Sequence, residues 1–572
     1  MAACNRRCRF LFNLLLGLSL LLFAISVSEG TARAQPSALP AAAGAAVDVE
    51  GEFVIIHEDF KHSGRYLYFL NTPSGQVPLH FNSKPPTNLL TGDHVRAHGT
   101  VDQSGSLILA SGGSVKAMSP TTTSSGPLPN TFGAQSTLVI LVNFQDAPTN
   151  QPYTVASAQS VVFGTASSFM LENSYGQTSL TGNVVGWYTI PLSSTTCNIS
   201  SIASYAQSAA SAAGINLSSY THYVYAFPQD NACGFGGASN VGGNPSQSWI
   251  NGTNGSGILD IHTVDHELGH ALGLWHSHLL DCGTTATIGS SCTIWEYGDL
   301  LDTMGVPQTA SPDYNAFQKE RLGWLNYGTS PSITTVTAGG MYVINAYELA
   351  SPGPIALKIL KSTDPTTGAK TWYYVEARQA VGFDAFLTNG TCSTCYTQNE
   401  TSGVLFHIGT DGNGNSGDLL DMTPATPTYY GWFDPSLVAG QSFADPAAGV
   451  MITTAWVTST QAAVNVQFSG GAGGSGGVTI ATNEQSYLPG QTVSTTATTT
   501  YGGSPVANVS VNFTITKANG NVVTGSANTG KNGTAVYNLK LMKNDPAGTY
   551  LAGAAATIKG NPHSANTAFA VQ

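Results

Sequence analysis

The sequence predicts a multidomain, β-rich chain. A mixed α/β (α+β) domain is flanked by an N-terminal all-β domain and, beyond a β-rich extension, by a C-terminal immunoglobulin-like β-sandwich. Three observations predict it. The 572 residues exceed what a single hydrophobic core normally serves. Charged residues make up only 9% against 42% hydrophobic, with 64 glycines and many Ser and Thr, a balance that suits strands and turns rather than disorder. The apolar pattern also changes period along the chain, alternating near both ends and taking helical spacing in the middle.

Arg6, Arg7 and Arg9 precede an apolar run from Phe10 to Val27, and Ala32-Arg33-Ala34 follows. This is the order of a secretory signal over residues 1–34, so the expected location is extracellular, with a membrane-anchored form as the weaker alternative. Six cysteines remain after it, and an exported chain implies disulfides: Cys282–Cys292, Cys392–Cys395 and Cys197–Cys233 are the expected pairs. The net charge of −12 argues against a nucleic-acid partner.

Residues 35–130 comprise an Ala/Pro leader, alternating runs such as Phe53–Ile56 and Tyr66–Phe69 that predict a small barrel or sandwich, and a Thr/Ser/Pro linker at 119–130. The segment could serve as a propeptide. It contains no cysteine. The second unit, 131–329, opens on Thr137–Asn143, a continuous apolar run expected of a strand covered on both faces. Helices are predicted at about 154–172 and 200–213, with strands at 183–190 and 222–227. Residues 330–468 return to strands, 469–477 are a Gly/Ser linker, and 478–572 alternate at period two in Val509–Thr516 and Ala535–Leu541.

The chemistry lies in Asp265-His-Glu-Leu-Gly-His-Ala-Leu-Gly-Leu-Trp-His276. On a helix, residues four apart share a face, so His266 and His270 present imidazoles together, with Glu267 beside them. Gly273 lets the chain leave the helix in the left-handed conformation, and His276 can then return as a third nitrogen donor. Three protein ligands with one position left open are the pattern of a catalytic rather than a structural zinc site. One catalytic Zn2+ is the expected cofactor, with Glu267 as general base and acid toward a water that the metal activates.

His266 to His276 resembles the metzincin signature, and Asp302-Thr-Met-Gly305 is similar to the methionine turn of that clan. More narrowly, Glu296-Tyr-Gly-Asp299, Gln318–Trp324, Gly182–Trp187, Gly234–Gly243, Leu419–Pro424 and Gly440–Pro446 resemble gametolysin-type peptidases over about 130–460. The resemblance implies a metzincin-like catalytic fold and a secreted zinc endopeptidase acting on protein or glycoprotein. It further implies zinc on His266, His270 and His276, Met304 beneath the metal, and the Gly-rich 234–243 segment at the rim of the cleft. Some relatives add a tyrosine ligand just after the methionine; Gly305-Val-Pro307 follows here, and none is assigned.

His262 is read as supporting the ligands or the helix start rather than as a ligand, His278 as a loop residue, and Asp299 as positioning the methionine turn, with a cation held there as the alternative. Asp411, Asn413, Asn415 and Asp418 fail the calcium-loop pattern at Ser416 and Met422, so Ca2+ has no support and an Asx turn is expected. Two other function classes are a catalytically silent surface-binding protein, against which the intact Glu267 counts, and a zinc hydrolase of a non-peptide bond. The C-terminal module is read as a candidate binder of a surface or polymer. No membrane partner is expected after signal removal, and the oligomeric state stays open.

Overall fold

The computed structural model describes residues 42–572 apart from 62, 119–125, 254–256, 306–310, 388–397, 427–432, 469–475, 502–503 and 560. The signal, the Cys392–Cys395 pair and most of the Gly/Ser linker lie outside the described residues. Among the described residues no helix is long and apolar enough to cross a membrane.

The middle of the molecule is built on the apolar run. An N-terminal barrel described below contributes β1 (Ala46–Phe60), β2 (Ser63–Thr72), β3 (Gly75–Phe81), β4 (His94–Val101), β5 (Leu107–Leu109) and β6 (Val115–Ala117). Next come β7 (Gly133–Phe144), β8 (Thr178–Ile190), β9 (His222–Phe227), β10 (Gly237–Asn240) and β11 (Ser246–Asn251), hydrogen-bonded in the order β10-β11-β9-β7-β8. β7 runs parallel to β8 and β9, and β10 is antiparallel to β11. Leu138, Ile140, Val142 and Phe144 point to one face, where they pack with Ile202 and Ala206 of α3 (Ile199–Ala212). Val139 and Leu141 point to the other, with Val162, Phe169, Val264 and Leu268. Both faces are covered, which is why the run is apolar throughout instead of alternating.

The helix expected at 154–172 is two short pieces, α1 (Val155–Ser160) and α2 (Ser167–Asn173), joined through a wider π-type stretch at Val161–Ala166. Thr154 and Asn198 cap α1 and α3 by accepting from the amides of Ser157 and Ser201 at 3.0 and 2.9 Å.

Strands β1 to β5 pair in the circular order β1-β2-β3-β5-β4-β1, a closed five-stranded barrel of the OB type. The barrel does not stand apart. β1 is 15 residues long, and while its first half closes the barrel against β4, Ile56–Asp59 pair antiparallel with Asn240–Gly237 of β10. Barrel and middle sheet are therefore one continuous 11-stranded sheet.

The extension likewise reaches back across its expected start at 330. Its first sheet begins with β12 (Ser277–Asp281), which pairs with β13 (Thr293–Trp295) and lies parallel to Asn413–Leu420. The sheet continues through Gly403–Thr410, Lys370–Glu376, Pro354–Thr363 and Ser332–Val336. His278 is thus a buried strand residue rather than a loop residue, because β12 is enclosed between two strands. A second, four-stranded sheet packs on the first through Ile344, Leu357, Val375, Phe406 and Val464. The buried Arg378 fastens the two parts together: Nε donates to Glu376 at 2.8 Å, and Nη1 donates to the carbonyl of Leu301.

Residues from Gly476 onward form two sheets facing each other, with Val511, Phe513 and Ile515 turned inward at period two. Gly476 and Gly477, expected in the linker, are in the first of these strands, paired with Tyr501 and Thr500.

Candidate metal centre

Helix α4 (Ile261–Ala271) starts at Asp260, whose carboxylate accepts from the Thr263 amide at 3.3 Å. Val264, Leu268 and Ala271 hold it in the core. It ends at Leu272, and Gly273 takes φ +100°, the left-handed exit that a side chain would strain. The chain reverses and enters β12, placing His276 opposite His266 and His270.

The three imidazoles meet. His276 Nε2 stands 3.3 Å from His266 Nε2 and 3.2 Å from His270 Nε2. Each opposite ring nitrogen has an acceptor: His266 Nδ1 faces the Thr303 carbonyl at 2.7 Å, His270 Nδ1 the Leu274 carbonyl at 2.8 Å, and His276 Nδ1 the Glu296 carboxylate. A carbonyl can only accept, so the proton of the first two rings sits on Nδ1 and their Nε2 lone pairs point inward. Lone pairs so close repel one another unless a cation lies between them. Tetrahedral zinc with Zn–N of about 2.0–2.1 Å requires N···N edges of about 3.3–3.4 Å, which these distances match. The donor set therefore fits a divalent metal ion.

Beneath α4, Met304 is fully buried, and its position is fixed from both sides. Its amide donates to Asp302 at 2.7 Å, and its carbonyl accepts from the Ser277 amide at 3.0 Å. Gly269 faces it, since a Cβ there would come within 2.4 Å of Met304 Sδ. Asp299 shapes the same turn, accepting from the Leu301 amide at 2.9 Å and contacting His407 Nε2 at 3.0 Å.

Glu267 is buried next to the histidines, and Oε2 has no hydrogen-bond partner among the described residues. Burial, reinforced by the Asp59 charge, pushes its carboxyl well above the usual range. Gly237 of β10 abuts it so closely that a Cβ would stand 2.0 Å from Oε1. The Gly-rich segment thus places its edge strand directly over the carboxylate.

Sequence reasoning missed Asp59, His57, Glu296 and Tyr297. Asp59, near the end of β1, places Oδ1 2.9 Å from His276 Nε2 and 3.3 Å from His266 Nε2. Tyr297 donates its hydroxyl to the same oxygen at 2.7 Å, and the His57 ring lies 4.2 Å from that of His276. Burial works against an ionised Asp59, yet the charges of His57 and His266 outweigh it and hold its carboxyl well below the usual range. Burial alone would lower His276, but its contacts with Asp59 and Glu296 raise it to about 9. The crowded charges in His57-Glu58-Asp59 were the available signal for one pair, and the quoted Glu296-Tyr-Gly-Asp299 stretch for the other. His262 is a neighbour only, its ring 5.6 Å from that of His266. The Asp411–Asp418 segment is a hairpin whose groups face apart: Asp411 accepts from Trp372 Nε1 at 2.9 Å, whereas Asn415 Oδ1 contacts His278 at 2.9 Å.

Among the described residues two disulfides join Cys197 to Cys233 and Cys282 to Cys292, both among the expected pairs.

Residues 149–389 match the family model of the gametolysin peptidases, a stretch that holds α4, His276, the methionine turn and Arg378. This region is similar to the gametolysin-type metallopeptidases. The match is narrower than the resemblance read over 130–460, and Asp59 lies outside it. The match supports a metallopeptidase reading for this stretch of the chain. No curated protein matches the chain. Among solved structures, a tetra-tandem repeat from the extending region of a large adhesion protein is 17% identical, covering 41% of this chain and 50% of its own, at a TM-score of 0.16. The D0-D1 domain of intimin is 16% identical, covering 37% and 98%, also at 0.16. A CARDB domain from Pyrococcus furiosus is 15% identical, covering 17% and 89%, at 0.14. The chain spans half the length of the first of these. Likeness of this size carries no argument about the gametolysin-type region.

Proposed function

We propose that the chain is a secreted zinc-dependent endopeptidase of metzincin-like catalytic fold, acting on extracellular protein or glycoprotein. His266, His270 and His276 would hold the metal, and Met304 would floor the site. The convergence of three Nε2 atoms, with a carboxylate beside them, carries this reading. A zinc ion there would supply Lewis acidity toward water and a peptide carbonyl at neutral pH. Glu267 takes the proton of the attacking water at a carboxylate oxygen and returns it to the departing amine. Glu296 and the carbonyls of Thr303 and Leu274 hold the imidazoles in the tautomer that binds. The C-terminal sandwich is read as an immunoglobulin-like module that places the peptidase on a surface or polymer.

The test measures zinc content and cleavage of denatured casein for the chain and for Glu267→Ala. The expected result is about one zinc per chain in both, with cleavage falling at least about 100-fold in the variant. Absence of zinc from both, or equal cleavage by both, overturns the reading.

A further inference from the structure

We infer that the N-terminal barrel is a built-in inhibitor, with Asp59 as its metal-directed ligand and β1 as a strand filling the substrate groove. This rests on the zinc-peptidase reading above. A working peptidase must admit a chain to its reacting atoms, yet here His270 and His276 have no exposed surface and Glu267 has 1%. What covers them is the β1–β2 hairpin. Asp59 Oδ1 lies 2.9 Å from His276 Nε2 and 3.3 Å from His266 Nε2, with Oδ2 3.8 Å from His270 Nε2. The carboxylate thus faces all three nitrogens, Oδ1 toward His276 and His266 and Oδ2 toward His270, on the side where a fourth ligand would stand.

The second half of the argument is the backbone. Without β1, β10 would be the edge of the middle sheet, and an extended peptide adding to that sheet over Glu267 would have to pair with it. β1 already does so from Ile56 to Asp59, and beyond the ladder Gly236 N donates to Asp59 O at 2.8 Å and Val241 N to Ile55 O at 3.1 Å. The hairpin is fixed in place by Tyr66, whose ring lies tilted 4.8 Å from that of Trp275, and by Arg65 Nε, which donates to the buried Glu58 at 2.6 Å. Phe60 packs edge-on against Phe235 at 6.4 Å. Gly64 permits this closeness, because a Cβ would meet His57 Nε2 at 2.4 Å. A strand tethered this way competes at an effective concentration on the order of millimolar or above, against substrates that typically bind in the micromolar to millimolar range.

The experiment compares the full chain with Asp59→Ala, each loaded with one Co2+ in place of zinc. The readouts are the visible spectrum titrated with acetohydroxamate and, separately, casein cleavage by the zinc forms. Asp59→Ala should change the cobalt spectrum before any probe is added, bind acetohydroxamate at least tenfold more tightly, and cleave at least tenfold faster. Should Asp59→Ala fail to fold, Asp59→Asn, which keeps the shape and removes the charge, is expected to move all three readouts in the same direction. Identical spectra, probe affinities and rates for a folded variant and the full chain overturn the inference while leaving the zinc reading intact. Failure of both to bind cobalt overturns the zinc reading itself, and this inference with it.

Discussion

Gly269→Ala tests whether Met304 is a rigid floor under α4. In a helix interior, alanine is favoured over glycine by about 1 kcal/mol, so the unopposed change would stabilise. Here the new methyl would stand 2.4 Å from Met304 Sδ and 2.9 Å from Tyr314 Oη. Both side chains are fully buried, and the tyrosine hydroxyl is already committed to the Asp265 carbonyl at 2.9 Å. Ordinary contact is about 3.5–4.0 Å, so α4 or the methionine turn must move by roughly an ångström. Overpacking of this kind costs about 1–3 kcal/mol, and striking two fixed groups places it at the upper end. The expected net effect is a loss of about 1–2 kcal/mol, with weaker metal retention because His266 and His270 ride on the displaced helix. Met304→Ala alone should cost about 2–5 kcal/mol through the cavity it leaves. In the double variant the new methyl enters that cavity, and the combined loss should fall short of the sum by about 1–2 kcal/mol. Urea unfolding of the four proteins, followed by tryptophan fluorescence, reads all of these quantities. A more stable Gly269→Ala, or strictly additive losses, would refute the packing argument.

Two further outcomes are expected. His222 is buried between Ser246 Oγ at 2.6 Å and Gln135 Oε1 at 3.0 Å, and burial lowers it from 6.5 to about 4. The unfolded chain therefore binds the extra proton first as pH falls, so this contribution is complete above pH 6.5 and is lost toward pH 4, by roughly 3 kcal/mol; urea midpoints across that range should fall more steeply than in His222→Gln, and equal slopes would dismiss the assignment. Lys319 Nζ meets Asp313 Oδ2 at 2.7 Å with both side chains fully buried, so Lys319→Met should cost about 3–5 kcal/mol while Lys319→Met with Asp313→Leu is nearly neutral; thermal melts showing a loss under about 1 kcal/mol for the single change would contradict it.

What the sequence made legible was local. The helix and its imidazoles follow from a four-residue spacing and one glycine, and β7 from an apolar run whose two faces are both covered. Asp59 was invisible because it enters through a pairing with Gly237, which no periodicity within either strand announces. The joining of the barrel to the middle sheet, and of β12 to the extension, was hidden for a related reason. β1 alternates along its barrel half, but Val54–Phe60 are continuously buried or half-buried where the strand meets β10. The five residues of β12 are too few to show a period at all. The wider turn inside the 154–172 segment, likewise, leaves the helical apolar spacing almost unchanged.

The pairing of β12 with Ser277↔Gly417 and Leu280↔Leu420 also has a bearing on biosynthesis. His276 is set by a strand whose neighbour is translated some 140 codons later, a delay of about 7–30 s at 5–20 residues per second. A nascent or prematurely terminated chain can fold α4 and display two imidazoles, but it lacks the scaffold that seats the third. The third imidazole is therefore expected to be seated only once the chain has been made through Leu420.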